Sequence, residues 1–369
     1  MTKHGTVTLL CSGFGLGLYV PGLLVARRLQ RLGVRADVCV FENVLLPDKL
    51  EQVLRSKQAC HRSFPFAQFS AKMPMDMTRT VDEEALDALL DGWAAEGRRD
   101  FLVFSGHWLH VVNRYRDKVF PETVNAEIVY VDCGLPPSWT SLKHFEPDYA
   151  AGYRETWIYD TETMKLSAPI AVNEAPPLSY RDREHRFVIH GGGWGMGTYQ
   201  SKIPELRERG IPLDIVVYET GEAAGGGAED RYFMMDPSWS PWHRDEAGSH
   251  IFPPFGEVVQ GKPVRFAHRD SHHELFDITG KSRGIIGKPG AGTMIDSLAS
   301  ATPLIMLEPF GEHERRNTEM WATLGFGVSY EQWKQADYSL GMLERLHENL
   351  MAARGAHADF AAQYRSYVG

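Results

Sequence analysis

Short apolar runs alternate with longer amphipathic stretches along the first part of the chain. Apolar runs of about four to eight residues bounded by turn residues are typical of buried strands, and the amphipathic stretches are typical of helices. The pattern predicts strands over residues 6–11, 36–41, 101–104 and 128–131. It also predicts a helix over 22–32, opened by Pro21 and closed by Gly33. Strands that alternate with helices favour the α/β class with a doubly wound parallel sheet.

The alternation stops at residues 169–186, which are rich in proline and charge and have no periodicity. Such composition is typical of a linker between domains. A second alternating unit follows it. Its strands are predicted at 187–190, 213–218, 265–266, 285–286 and 304–307, its helices at 202–209 and 294–301, and a helical tail over 340–367. We therefore expect an N-terminal domain over 1–168, a linker over 169–186, a C-terminal domain over 187–345, and a tail over 346–369 that packs back toward the N-terminal domain.

Composition narrows the function. The chain has 369 residues, with 43% hydrophobic and 24% charged residues, as in ordinary globular proteins. A net charge of −9 argues against nucleic-acid binding, which needs Lys and Arg to neutralise phosphates. No apolar run approaches the roughly 18 residues of a transmembrane segment, and no signal-peptide pattern opens the sequence, so we expect a cytoplasmic protein. The four cysteines lie far apart, which predicts free thiols.

Three glycine-rich turns follow predicted strands, at residues 13–17, 191–197 and 287–292. A strand that ends in glycines and opens a helix offers bare backbone N–H groups to an anion, and the helix dipole adds positive charge there. In the third turn, Asp296 follows Thr293 by three residues and can reach a ribose hydroxyl beside that anion. This turn therefore predicts a binding site for a nucleotide diphosphate. The first turn reads G-x-G-x-G, which departs from the dinucleotide pattern.

Here the sequence resembles a known family. The residues that carry the resemblance are Gly-Ala-Gly-Thr-x-x-Asp at 290–296, the stretch 299–307, Pro309, Asn317, Gly325, the first loop and helix at 15–29, and the glycine turn 191–198. They resemble the GT-B glycosyltransferases, especially the peptidoglycan N-acetylglucosaminyltransferase and the UDP-glycosyltransferases. The resemblance implies two Rossmann-like, doubly wound parallel-sheet domains that face a central cleft.

The resemblance also assigns roles to residues. It implies that the donor diphosphate is bound by Gly192, Gly193, Lys288, Gly290, Ala291, Gly292 and Thr293, the donor ribose by Asp296, and the donor sugar by His313, Glu314 and Asn317. It places Gly15, Gly17 and Leu18 on the acceptor side and His273 near the nucleotide. We expect no cofactor and no metal, because the nucleotide sugar is a co-substrate. The adjacent histidines at 272–273 do not have the facing geometry of a metal pair.

Two positions depart from the family pattern. His313 and Glu314 stand where members usually carry an acid or Gln followed by Gln. Inverting members carry a His in the first loop, and this chain has Leu18 there. Inversion normally needs a base that takes the acceptor proton. His107, which follows the strand 101–104, is the first candidate for that base. His110 and Asp132 are held in reserve.

The resemblance to the GT-B glycosyltransferases implies a hexosyltransferase. Such an enzyme moves a sugar from a UDP- or dTDP-sugar to a hydroxyl or amine of a small-molecule acceptor. We expect an inverting, metal-independent reaction in natural-product or cell-envelope biosynthesis. A nucleotide-sugar epimerase and an inactive nucleotide-sugar-binding subunit are the alternatives. The Phe- and Met-rich stretch 64–77 is either a loop packed on its own domain or an apolar surface for peripheral membrane contact. Residues 221–254 form a long irregular segment.

Overall fold

The first half of the chain folds around a five-stranded parallel sheet. The computed structural model describes residues 5–227, 229–356 and 358–368. The strands of the first sheet are β1 Val7–Cys11, β2 Ala36–Val40, β3 Asp100–Val103, β4 Asn125–Tyr130 and β5 Arg154–Trp157. They lie in the order β2-β1-β3-β4-β5, and each neighbouring pair is parallel. The four strands predicted from apolar runs in this half are therefore confirmed as β1 to β4, with ends that differ by one to three residues.

Helices connect these strands. They are α1 Leu16–Arg31, α2 Pro47–Arg62, α3 Phe64–Ser70, α4 Glu83–Ala95, α5 Leu109–Lys118 and α6 Pro137–Phe145, and a small antiparallel pair, β6 Tyr159–Asp160 and β7 Lys165–Leu166, follows β5. The prediction that Pro21 opens the first helix is wrong. Helix α1 already begins at Leu16, with Gly15 at its N-cap, and Pro21 lies inside it. The glycine turn leads straight into the helix, and Pro21 in the second turn removes one i→i−4 hydrogen bond from it.

The second half contains a seven-stranded sheet in the order β11-β10-β9-β8-β12-β13-β14. Its strands are β8 Glu184–His190, β9 Leu213–Val217, β10 Arg231–Met235, β11 Phe255–Glu257, β12 Ser282–Gly287, β13 Leu304–Met306 and β14 Gly327–Ser329. All neighbours are parallel except β10 and β11. The predicted strand at 265–266 is wrong: Ala267 makes only an isolated bridge with Phe255. One Val and one Phe beside a proline are too short an apolar run for a full strand.

The helices of this half are α7 Ile203–Glu208, α8 Glu274–Lys281, α9 Ala291–Ser300, α10 Glu312–Thr323, α11 Tyr330–Gln335 and α12 Leu340–Arg354, and α13 Phe360–Val368 ends the chain. Helix α13 lies against α1 of the first half. The Phe360 N–H donates to the Pro169 carbonyl at 2.9 Å, and Arg28 pairs with Asp359 at 3.2 Å. The chain therefore returns to the domain in which it began.

One buried hydrophobic cluster contains residues of both halves, and a second lies within the second half. The Tyr159 and Trp321 rings, from opposite halves, meet edge to face with centroids 5.4 Å apart, and both residues are buried. Such aromatic pairs add stabilisation beyond the apolar area that they bury. All four cysteines are free and buried, as predicted. No helix of the described residues is long and apolar enough to cross a membrane.

Candidate functional site

Two glycine turns lie side by side at one edge of the second sheet. His190 and Gly287, the last residues of β8 and β12, are paired in register, so the turns that follow them start next to each other. The aliphatic stem of Lys288 contacts Gly197, where a Cβ atom would lie 3.3 Å from it. Gly192 and Gly197 have φ angles of +72° and +127°, which favour glycine. At the carboxyl edge of this sheet, the second turn is partly exposed from Gly192 to Gly197, and the third is partly exposed at Gly290 and Gly292.

Two helix N-termini converge on the same place. Helix α9 begins at Ala291 and α1 at Leu16, and a Cβ atom on Gly17 would lie 3.7 Å from the Ala291 Cβ. The first turn of a helix leaves N–H groups without intrahelical partners, and the helix dipole makes this end positive. Gly292 and Thr293 are partly exposed there. The junction of the two domains therefore brings together two positive helix ends with unpaired N–H groups.

A carboxylate with two histidines lies beside this junction. Asp296, on the second turn of α9, bonds His273 Nε2 at 3.1 Å, and both side chains are buried. Burial alone lowers the pKa of His273, but the Asp296 carboxylate outweighs it and raises the pKa above its usual value. Burial lowers the pKa of His190 to about 4, so its neutral Nδ1 accepts the Gly192 N–H at 3.0 Å. Two predicted residues from separate parts of the chain, His273 and Asp296, thus form one pair.

Lys288 forms a buried ion pair with Glu314. Its Nζ lies 3.2 Å from Glu314 Oε1, and the two side chains are 8% and 6% exposed. The second oxygen of Glu314 accepts the Phe310 N–H at 2.6 Å. This carboxylate therefore holds the start of α10 and supplies the counter-charge that a buried ammonium needs. An anion at the glycine turns would provide a second counter-charge.

Asn317 joins the two domains. Its Nδ2 donates to Asp132 Oδ1 and to the Pro289 carbonyl, both at 2.7 Å, and its Oδ1 accepts the Cys133 N–H at 2.7 Å. Asp132 and Cys133 follow β4 of the first sheet, whereas Asn317 and Pro289 belong to the second half. Burial raises the pKa of Asp132, although the charge of His313 opposes that rise. The Asn317 amide, predicted to bind the donor sugar, thus makes hydrogen bonds to both domains.

Leu16 and Leu18, at the start of α1, pack as partly buried residues against the core. The position of the missing His is therefore an apolar part of the cleft wall. A Cβ atom on Gly193 would lie 2.4 Å from Leu16 Cγ and Cδ1. This contact joins the N-terminal domain to the second glycine turn.

Gly193→Ala is expected to hold the domains apart, because its new methyl group occupies the space of the Leu16 side chain. The turnover of an activity that needs closure should fall on the order of tenfold to a hundredfold. Leu16→Ala in the same chain removes the obstruction and should restore most of the loss. Steady-state kinetics of both variants test this. An equally inactive double variant would show that the alanine acts by another route.

His107 lies after β3 and faces aromatic rings of its own domain. Its ring centroid is 4.9 Å from that of Phe14 and 5.3 Å from that of Phe41. Burial lowers its pKa to about 3 and, together with the charge of Arg114, lowers that of His110 to about 4. Among the described residues, His107 Nδ1 has no hydrogen-bond partner. His107 is thus a neutral imidazole without the carboxylate that usually orients a catalytic His.

Glu42 has a role that the sequence did not indicate. It follows β2, is 1% exposed, and accepts bonds from Ser12 Oγ at 3.0 Å and from the Gly13 N–H at 2.8 Å. Burial raises its pKa to about 7, even though these hydrogen bonds oppose the rise. The Glu42 carboxylate therefore holds the start of the first glycine turn in place. The only sequence signal is an acid directly after a predicted strand.

Because the folded-state pKa of Glu42 exceeds its unfolded value, its stabilising contribution is present below pH 4.5 and is lost as pH rises to 7. The loss is on the order of 3 kcal/mol. Glu42→Gln cannot ionise, so the stability difference between parent and variant should change by that amount over this interval. Urea unfolding at several pH values measures it. The exposed Glu51→Gln variant should keep the parent's slope, and a parallel course for Glu42→Gln would contradict the prediction.

Among residues 5–227, 229–356 and 358–368, no group of three or more His, Cys, Asp or Glu side chains has an arrangement that could hold a metal ion.

Comparison with known proteins identifies this architecture. No family model and no curated protein matches the sequence. Solved structures do match over nearly the whole chain. The spinosyn rhamnosyltransferase SpnG has a TM-score of 0.58 at 13% identity and covers 98% of this chain and 99% of its own. The chain has the GT-B fold.

Other GT-B structures agree. UGT2 of Phytolacca americana, complexed with UDP-2-fluoro-glucose and pterostilbene, has a TM-score of 0.56 at 10% identity, covering 99% of this chain and 100% of its own. MurG of Acinetobacter baumannii has a TM-score of 0.51 at 12% identity, covering 99% of each chain. The fold expected from the sequence is therefore confirmed. In this GT-B cleft, the predicted donor residues lie on the C-terminal wall, and Gly15, Gly17 and Leu18 lie on the N-terminal wall.

Proposed function

We propose that the protein is a glycosyltransferase that uses a nucleotide-diphosphate sugar, with UDP- and dTDP-sugars as the first candidates. One observation carries this proposal: two glycine turns, two helix N-termini and the Lys288 ammonium converge at the junction of the domains. A diphosphate fits these groups because they offer N–H donors and positive charge together. In keeping with this, SpnG has also been solved with thymidine diphosphate.

The same groups suit the chemistry of transfer. When the acceptor oxygen bonds to the anomeric carbon, the bond from that carbon to the diphosphate oxygen breaks and negative charge collects on the leaving group. Backbone N–H groups of 191–193 and 290–293 and the Lys288 ammonium would stabilise that charge. Asp296, oriented by His273, would accept from the ribose hydroxyls. His313 and Glu314 are proposed to face the donor sugar at the start of α10.

We propose that the acceptor loses its proton to Asp132 rather than to His107. Asp132 lies in the same buried polar group as Lys288 and Glu314, and its raised pKa makes it a stronger base than an ordinary carboxylate. His107 is a weak base among aromatic rings. Single-turnover kinetics of Asp132→Asn and His107→Gln distinguish the two. The variant that lacks the base should lose the chemical step while it retains donor binding.

We further propose that residues 1–168 bind the acceptor, that 187–345 hold the donor, and that the linker 169–186 allows the two to close. Closure would exclude water and limit hydrolysis of the donor. We also propose that the transfer needs no metal ion and inverts the configuration at the anomeric carbon.

A thermal-shift screen with UDP, dTDP and their sugars tests the proposal. A ligand at about a hundred times its Kd stabilises the fold by roughly 2.7 kcal/mol, so a binding nucleotide stands out clearly. Turnover with an acceptor mixture is then followed by mass spectrometry. Conversion of donor to a sugar isomer without acceptor would indicate an epimerase, and binding without any turnover an inactive subunit. If no nucleoside diphosphate binds, the proposed function is wrong.

A further inference from the structure

The segment 236–254 belongs to the C-terminal domain but lies on the N-terminal one. It leaves the sheet after β10 and returns at β11, and its ends are tied by the Asp236 N–H, which donates to the Pro254 carbonyl at 2.9 Å. Tyr19 Oη donates to the Ile251 carbonyl and Asn43 Nδ2 to the Trp242 carbonyl, both at 2.8 Å. One domain thus carries a wall that the other domain holds in place.

A small cavity remains behind this wall. It is lined by the first glycine turn and α1 (Gly13, Leu16), by α2 (Val53, Leu54, Lys57), by the second glycine turn (Gly193, Trp194), and by Met235 and residues 239–242. Its volume of about 20 Å³ holds about one water molecule. The walls are mostly apolar, with three indole rings from Trp194, Trp239 and Trp242. A larger molecule enters only when the segment moves away from the N-terminal domain.

Two side chains that line the cavity, Lys57 and Trp239, carry donors for which no acceptor is present among the described residues. The Trp239 side chain is 92% buried, since its exposure is 8%, and its Nε1 has no hydrogen-bond partner among the described residues. The Lys57 ammonium lies 5.5 Å from the Tyr218 ring centroid, and no carboxylate of the described residues pairs with it. Burial lowers the pKa of Lys57. The unpaired Trp239 N–H is buried and therefore costly, whereas Lys57 is partly exposed and keeps some contact with water. A ligand that brings acceptor oxygens would pair the indole N–H and give the ammonium a counter-charge.

We propose that this cavity is the acceptor site and that it selects planar aromatic molecules carrying a carboxylate, which Lys57 and the Trp239 indole N–H bind. The indole rings supply flat apolar surfaces for the aromatic body of the ligand. The Lys57 ammonium and the Trp239 N–H would donate hydrogen bonds to its carboxylate. This assignment rests on the proposed function in that it takes the bound molecule to be the acceptor.

The placement of the wall couples the two substrates. The segment 236–254 is continuous with the C-terminal domain, so an opening of the cleft that breaks its bonds to Tyr19 and Asn43 would widen the cavity. Closure brings Gly193 against Leu16 at the mouth of the same cavity. The aromatic acid therefore enters the open protein, and closure over the donor confines it.

Calorimetric titration of the full chain with 6-hydroxy-2-naphthoate and with neutral naphthalene-2,6-diol tests the proposal. The acid should bind on the order of tenfold more tightly than the diol. Lys57→Met should abolish this preference, and Trp239→Phe, which keeps a flat ring without the N–H, should weaken acid binding severalfold. Lys165→Met, at an exposed lysine of β7, should change neither affinity. Thermal melts of each variant establish that it is folded.

Equal affinity for acid and diol, no binding of either, or an undiminished preference in Lys57→Met would overturn the proposal. Titration with UDP and dTDP alone separates this result from the proposed function. Binding of the acid through Lys57 without binding of either nucleotide would refute the glycosyltransferase and leave the aromatic-acid site. Nucleotide binding without selection of the acid would do the reverse.

Discussion

Lys288→Met is expected to lower the kcat/KM for donor by about a hundredfold or more, because it removes the buried ammonium whose stem lies between the second and third glycine turns. The variant should also unfold more easily, by about 3–5 kcal/mol, since Glu314 keeps its charge in a buried place without a counter-charge. Methionine matches the length of the lysine stem, so its contact with Gly197 remains. Transfer kinetics and urea unfolding measure the two effects independently.

Combining Lys288→Met with Glu314→Gln separates the two effects. The neutral amide no longer needs a counter-charge, and its oxygen can still accept the Phe310 N–H. Stability should therefore recover most of the loss, whereas UDP or dTDP affinity should stay low. If Lys288→Met binds the nucleotide as tightly as the parent does, the role of Lys288 in diphosphate binding is wrong.

Asn317→Ala is expected to open the cleft. The substitution leaves three buried groups without partners, namely the Cys133 N–H, the Asp132 carboxylate and the Pro289 carbonyl. Each such group costs about 1–3 kcal/mol when it stays buried. Water relieves that cost if the domains separate, because Asn317 and Pro289 belong to one domain and Asp132 and Cys133 to the other. The radius of gyration from small-angle X-ray scattering should increase, and the KM for donor should rise at least about tenfold.

Asn349→Ala is the matched control. Its amide donates to the Gly325 carbonyl at 3.0 Å, an exposed contact within the C-terminal domain. This variant should leave the scattering profile and the KM unchanged. An unchanged radius of gyration in Asn317→Ala, with simple loss of stability, would show that the amide supports the fold without controlling closure.

The turns and strands of the site could be read from the sequence because local patterns encode them. Apolar runs determine which segments are buried strands, and a glycine turn after such a strand determines where backbone N–H groups are free. Asp296 follows its turn at a spacing set by one helical turn. For these reasons the strand end at 190 matches the prediction, and β12 ends at Gly287, one residue beyond the predicted strand. Helix α9 begins at Ala291, before the predicted start at 294.

The start of α1 shows where local rules fail. Proline is favoured at the first helical position, so Pro21 indicated a later beginning. The structure extends the helix to Leu16, where its first turn meets Gly193 and α9 of the other domain. Contacts with a distant part of the chain here outweigh the missing N–H of one residue.

The sequence by itself determined the fold class, the two glycine turns that follow β8 and β12, and the acid beside them, since each depends on residues a few positions apart. Only the tertiary structure decided that His273 pairs with Asp296, that Asn317 joins the domains, that Glu42 is buried beneath the first turn, and that the segment 236–254 walls a cavity. These contacts join residues far apart in the chain. The contacts of Asn317 and of the segment 236–254 depend on how the two domains pack against each other. The other two depend on how elements pack within one domain. The periodicity of a single strand or helix carries no information about either kind of packing.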